Sequence, residues 1–139
     1  MKKNILILCL SFFLLFSIIL NVFQYETQKF LQNNVDSVFE NNFSLLCVNL
    51  RVDEKIKDGI QWNQKNEMYA YTALSLFSST SYAHDVSLND ILISLYGYSQ
   101  AGTIKDKVSF DAVEQLNRLA YDLKNKELSK QIYQDYFVL

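Results

Sequence analysis

The sequence predicts an all-α protein, with an N-terminal transmembrane helix continuing into a small bundle of about four helices. Three observations carry this reading. Residues 5–23 form a run of nineteen without a charge. The apolar residues that follow recur at steps of three and four, the spacing of one helix face. The chain has no proline and only three glycines, Gly59, Gly97 and Gly102, so little in its composition interrupts long helices.

A bilayer core about 30 Å thick needs about 20 apolar residues in a helix rising 1.5 Å per residue. Residues 5–23 meet that length, and Ile5, Leu10, Phe16 and Phe23 mark the lipid-facing body of the anchor. A helix suits the span because lipid offers no partner to backbone N–H and C=O groups. Lys2 and Lys3 precede the run, whereas Gln24-Tyr25-Glu26-Thr27 follow it without a cation. The positive-inside bias therefore keeps residues 1–4 in the cytoplasm and puts the helical domain, residues 24–139, across the membrane. A cleaved signal peptide would show small residues around a cut site; here the run ends in Ile18-Ile19-Leu20-Asn21-Val22-Phe23. Leu6-Ile7-Leu8-Cys9 does not make a lipidation site, since bulky Leu8 stands where a small residue is expected.

Beyond the anchor, Leu31, Val35, Phe39, Phe43, Leu46 and Leu50 step by 4, 4, 4, 3 and 4. They predict one face of a first bundle helix, widened by Val38 and Leu45 and continuous with the anchor. It ends near Lys57. Asp58-Gly59-Ile60-Gln61 reads as a restart with Asp58 as N-cap. The second helix has Trp62, Tyr69, Ala73, Leu76 and Phe77 on one face. It fades in Ser78-Ser79-Thr80-Ser81, whose hydroxyls compete for backbone hydrogen bonds. Ser87-Leu88-Asn89-Asp90 opens a third helix with the face Leu88, Ile91, Leu92, Leu95 and Tyr98 or Ser99, stopped by Gly102. After a polar connection over residues 103–108, Ser109 caps a fourth helix with Asp111 in its first turn, where negative charge is favoured. Its face is Val113, Leu116, Ala120 and Leu123. Leu128, Ile132 and Tyr136 lie well around the cylinder from that face, so the helix kinks near residues 124–127 or a short fifth helix starts there.

Charge excludes one class of partner. Of 13 basic residues, Lys2 and Lys3 stay before the anchor, so 11 face 15 acidic ones, a formal −4 for the remainder. Nucleic acid and anionic surfaces demand a basic patch, so neither is expected. Only Cys47 lies beyond the anchor, which rules out an intramolecular disulfide there. Cys47 sits among Leu45, Leu46 and Val48 and reads as a buried thiol; the functional alternative is a disulfide between two copies.

Catalytic constellations are missing, and no enzyme, cofactor or metal is expected. His84 is the single histidine, too few for His/Cys metal sites. A Cys47/His84 nucleophilic pair needs an activated thiol, which an apolar setting does not supply. Asp53 and Glu54 are adjacent and point to different azimuths on a helix. Asp85, Asp90, Asp106 and Asp111 flank helix starts, where carboxylates cap and oppose the dipole. Gly97 and Gly102 do not form a phosphate cradle.

Tyrosine remains. Tyr69 and Tyr71 share one helix, Tyr96 and Tyr98 bracket Gly97 in the next, and Tyr82 sits between them. Aromatic residues fill small cores, yet tyrosine also suits interfaces, burying area while keeping a polar handle. Tyr82, Tyr96 and Tyr98, beside a connection and a glycine, are the candidate interaction surface. The expected function is therefore a single-pass, membrane-anchored interaction module that docks to another protein or to itself. The alternative is a ligand-sensing or regulatory ectodomain working through a separate membrane partner, since a tail of about four residues holds no output domain; a small-molecule ligand stays open in that reading.

Overall fold

The computed structural model describes residues 2–51 and 60–138, and the side chains of these except Lys2, Lys3, Ile5 and Leu6. The described chain is all-helical: α1 (Lys2–Leu50), α2 (Ile60–Phe77), α3 (Val86–Gln100), α4 (Ile104–Lys107), α5 (Phe110–Tyr121) and α6 (Lys126–Tyr136). It divides into two compact units, Met1–Asn34 and Val35–Leu139. The expected cap at Asp58, the helix end near Lys57, the pair Asp53 and Glu54, and the side chain of Ile5 lie outside the described residues.

The first unit is the N-terminal part of α1. That helix is long and apolar enough to cross a membrane, with a mean hydropathy of 2.3 in its most apolar stretch, and none of that stretch is buried. Leu10, Phe16 and Phe23 all present their side chains outward.

In the second unit, Phe39, Phe43, Leu46, Cys47 and Leu50 form the buried face of α1. Leu31, Val38 and Leu45, expected on that face, are exposed instead. Successive residues turn about 100° around a helix, so each step of four advances the stripe by about 40°. Leu31 has drifted out of the core face by the time Phe39 and Phe43 enter it. Cys47, one place after Leu46, takes the space assigned to Leu45.

Helix α2 packs along α3, and α3 packs against α6, which also meets α5. Trp62, Asn66, Ala70, Ala73 and Phe77 are the buried residues of α2, with Tyr69 and Leu76 half-buried beside them. Polar bonds at the end of α1 fix it to α2: Trp62 Nε1 donates to the Asn49 carbonyl at 2.8 Å, and Asn49 Nδ2 to Asn66 Oδ1 at 2.7 Å. Each satisfies a group whose burial unpaired would be costly.

Helix α3 starts two residues earlier than Ser87-Leu88-Asn89-Asp90 suggested. Asp85 is its N-cap, accepting from the Leu88 amide at 3.0 Å. Its core residues are Leu88, Ile91, Leu92, Leu95 and Ser99, so Ser99 rather than Tyr98 closes the face. Gly102, at φ +70°, ends the helix. Its N–H reaches the Ser99 carbonyl at 3.1 Å while the Thr103 N–H reaches the Tyr98 carbonyl at 2.9 Å. This paired closure requires a left-handed residue, which glycine supplies without a Cβ penalty.

The connection over residues 103–108 contains α4, a four-residue helix with Ile104 and Val108 buried at its ends. It is pinned by those two side chains rather than solvated. Ser109 caps α5 as expected, accepting from the Ala112 amide at 3.2 Å. The chain then breaks at residues 122–125, and Asn125 caps a separate α6. The short-fifth-helix expectation holds there, and with α4 the described residues contain six helices.

Candidate functional site

The three candidate tyrosines go to different places. Tyr82 is 8 % exposed, in the turn between α2 and α3. Its ring lies 5.5 Å from Phe39, which also meets Phe77 at 6.0 Å, and its hydroxyl donates to the Glu40 carboxylate. Burial, then the bond to Glu40 and the charges of Glu40 and Asp36, hold the phenol above its ordinary pKa. An exposed ring at this position is thus corrected: Tyr82 joins a buried aromatic cluster with Phe39 and Phe77. Tyr96 is half-buried and pairs with Tyr71 of α2, centroids 5.7 Å apart and tilted by 46°. Tyr98 is half-buried and stacks on Phe137 at 6.5 Å. Their ring contacts are with three different partners rather than with one another.

Cys47 is fully buried, and its Sγ lies 3.6 Å from the Leu116 carbonyl of α5. Burial pushes the thiol well above its ordinary pKa, which removes it both as a nucleophile and as an accessible partner for a second copy. His84 is exposed in the turn before α3. Among the described residues, no three His, Cys, Asp or Glu side chains gather as a metal site would require.

A different feature stands out on the surface. Arg51, at the end of α1, and Arg118, on α5, line one cleft of about 280 Å³ together with Phe110, Val113, Glu114, Asn117 and Tyr121. Phe110 and Tyr121 are 70 % and 93 % exposed, while Val113 is buried beneath them. Arg118 pairs with Glu114 at 3.6 Å, one helical turn away, on an open face. Asn117 donates from its Nδ2 to the Val113 carbonyl at 2.8 Å. Tyr121 also borders a second cleft of about 220 Å³, lined by Glu40, Tyr82 and residues 120–124.

Tyr121 and Phe110 were absent from the sequence-based candidates, although a signal for them exists. The α5 face runs through Val113, Leu116 and Ala120, so both aromatic residues fall off it; a large ring off the apolar face of an amphipathic helix is the mark of an exposed contact. The pairing of Arg51 with Arg118 had no such signal, because it depends on how α1 meets α5. Comparison of the chain with protein-family models, curated proteins and solved structures finds no match to any of the three.

Proposed function

We propose that this chain is a single-pass, membrane-anchored helical module, N-terminus cytoplasmic and bundle extracytoplasmic, which acts through protein–protein contacts at the outer face of the membrane. The observation that carries the anchor is the side-chain exposure of α1. From Ile7 to Phe23, its large apolar side chains are 44–73 % exposed. A patch of that extent has no stable place in water and calls for lipid. Lys2 and Lys3 ahead of it favour the orientation.

The contact role is supported by what the bundle leaves outside after closing its own core. Phe110 and Tyr121 flank the arginine-lined cleft, while Val38, Leu45 and Val48 are exposed on α1. Aromatic residues and arginine are the types enriched at interface hot spots.

Reporter fusions at the C-terminus test the topology: an enzyme active only outside the cytoplasm should be active, and a fluorescent protein that matures only inside should be dark. Crosslinking in intact membranes followed by mass spectrometry tests the role, and recovery of neither a partner nor a self-dimer would sink it.

A further inference from the structure

We infer that the cleft between Arg51 and the α5 residues Phe110, Arg118 and Tyr121 is a docking site for an acidic segment of a partner protein, one that presents a carboxylate next to an aromatic or large aliphatic side chain. The inference rests on the reading of the bundle as an interaction module and names the chemistry of its partner. Arg51 and Arg118 are the only arginines in the chain, separated by 66 intervening residues, and the fold brings both to one depression. Arginine differs from lysine in offering a rigid, planar fork of five donors that grips a carboxylate through two parallel bonds. All the other basic residues of the chain are lysines, so its capacity for forked recognition is concentrated here.

Counted over the described lining residues, the cleft's balance is positive on a chain whose formal charge is −2. Among the described residues that line the cleft, two guanidinium groups accompany one carboxylate, that of Glu114, whose exposed pairing with Arg118 is weak. Phe110 and Tyr121 add two exposed aromatic faces, and buried Val113 gives the cleft an apolar floor. Guanidinium groups and aromatic rings lining one cleft can take a carboxylate and an apolar side chain together. Size points the same way. At about 280 Å³ the cleft has room for an anchoring side chain of a larger partner.

The test is selection from a displayed library of random short peptides on the full chain held in a nanodisc of zwitterionic lipid. Selected peptides should be enriched in Asp or Glu beside Phe, Tyr, Trp or Leu, and affinity should fall as salt is raised. Arg118→Gln and Arg51→Gln should each weaken the selected peptides by roughly tenfold, the loss of one charge-assisted contact. Lys130→Gln, on exposed α6 surface, should leave them unchanged. Both arginines are exposed, and an unaltered melting temperature confirms that the variants fold.

Selection of neutral or basic peptides, of no peptides, or of acidic peptides indifferent to both arginine variants overturns the assignment. Preferential arginine-dependent binding to vesicles containing anionic lipid overturns it in favour of a membrane surface. If crosslinking in membranes recovers a partner that Arg51→Gln and Arg118→Gln do not release, the interaction role survives and this site does not. If peptides bind through the arginines yet membranes yield no partner, the site survives and the broader role falls.

Discussion

Ser129 Oγ stands 2.6 Å from Asp85 Oδ2, and both residues are buried. The same carboxylate accepts from the Leu88 amide through Oδ1, so one side chain caps α3 and holds α6. Asp85→Ala should cost about 2–3 kcal/mol, the sum of a lost cap and a lost charge-assisted bond from Ser129, whose hydroxyl still has the Lys126 carbonyl at 2.9 Å. Asp85→Asn keeps an acceptor for the cap and should cost less. Denaturant melts of Asp85→Ala, Ser129→Ala and the double variant should show coupling, the double loss falling short of the two single losses together.

Gly97 and Gly102 should respond to alanine with opposite signs. A Cβ at either meets nothing within 4 Å, so packing does not decide. Gly97 lies inside α3, and alanine there should stabilise by about 0.5–1 kcal/mol. Gly102 has φ +70°, and alanine there should destabilise by about 1–2 kcal/mol. Thermal melts of the two variants check both signs.

Tyr82 makes stability fall at alkaline pH. Its folded pKa is raised, while an unfolded tyrosine titrates near 10. Below about pH 10 both states hold the proton and the contribution is present in full. Above it, only the native state keeps the proton, so the contribution is lost as pH climbs toward the folded value. Tyr82→Phe should reduce the alkaline slope of stability, and at neutral pH cost about 1 kcal/mol for the missing bond to Glu40. Urea midpoints between pH 7 and 11 separate the two effects.

Cys47 should be silent to thiol reagents until the bundle unfolds. In a Cys9→Ser background, labelling should track global opening, which for a stable domain means a fraction of about 10⁻³ or less at any moment. Rapid native labelling would contradict its complete burial.

A charge in the middle of the apolar run tests the anchor directly. Leu14 is exposed on α1, and Leu14→Arg places there a residue disfavoured by about 2.5–3.5 kcal/mol at a bilayer centre. The protein should shift from the membrane pellet to aggregates or degradation products, whereas Leu14→Ile should remain in the pellet.

The helical class and most element positions were legible because they are local. Ser109, Gly102 and the apolar steps of α3 act within a turn or two of their own position. What could not be read depends on contacts between distant segments. Val38 and Leu45 satisfy the helical spacing as well as Cys47 does, and only the neighbours Phe77, Tyr82 and Leu116 decide which of them is covered. Asn66 looks like a surface residue until Asn49 approaches it. The turn-sized α4 fell below the length at which periodicity can be seen. At the level of sites, a count of tyrosines selected Tyr82 for being near a connection, yet that connection is folded onto α1. Tyr121 is the most exposed of the described tyrosines, distinguishable by its angle from Leu116 and Ala120.

The stacking of Phe137 on Tyr98, together with buried Ile132, makes α6 a structural part of the core rather than an appendage. Translation delivers it after the other described helices. Until α6 emerges, the α3 surface that it covers is bare while the apolar N-terminal run has already left the ribosome. Closure of the core therefore waits on the last of the described helices to be made, and a pause before it would leave apolar α3 surface uncovered.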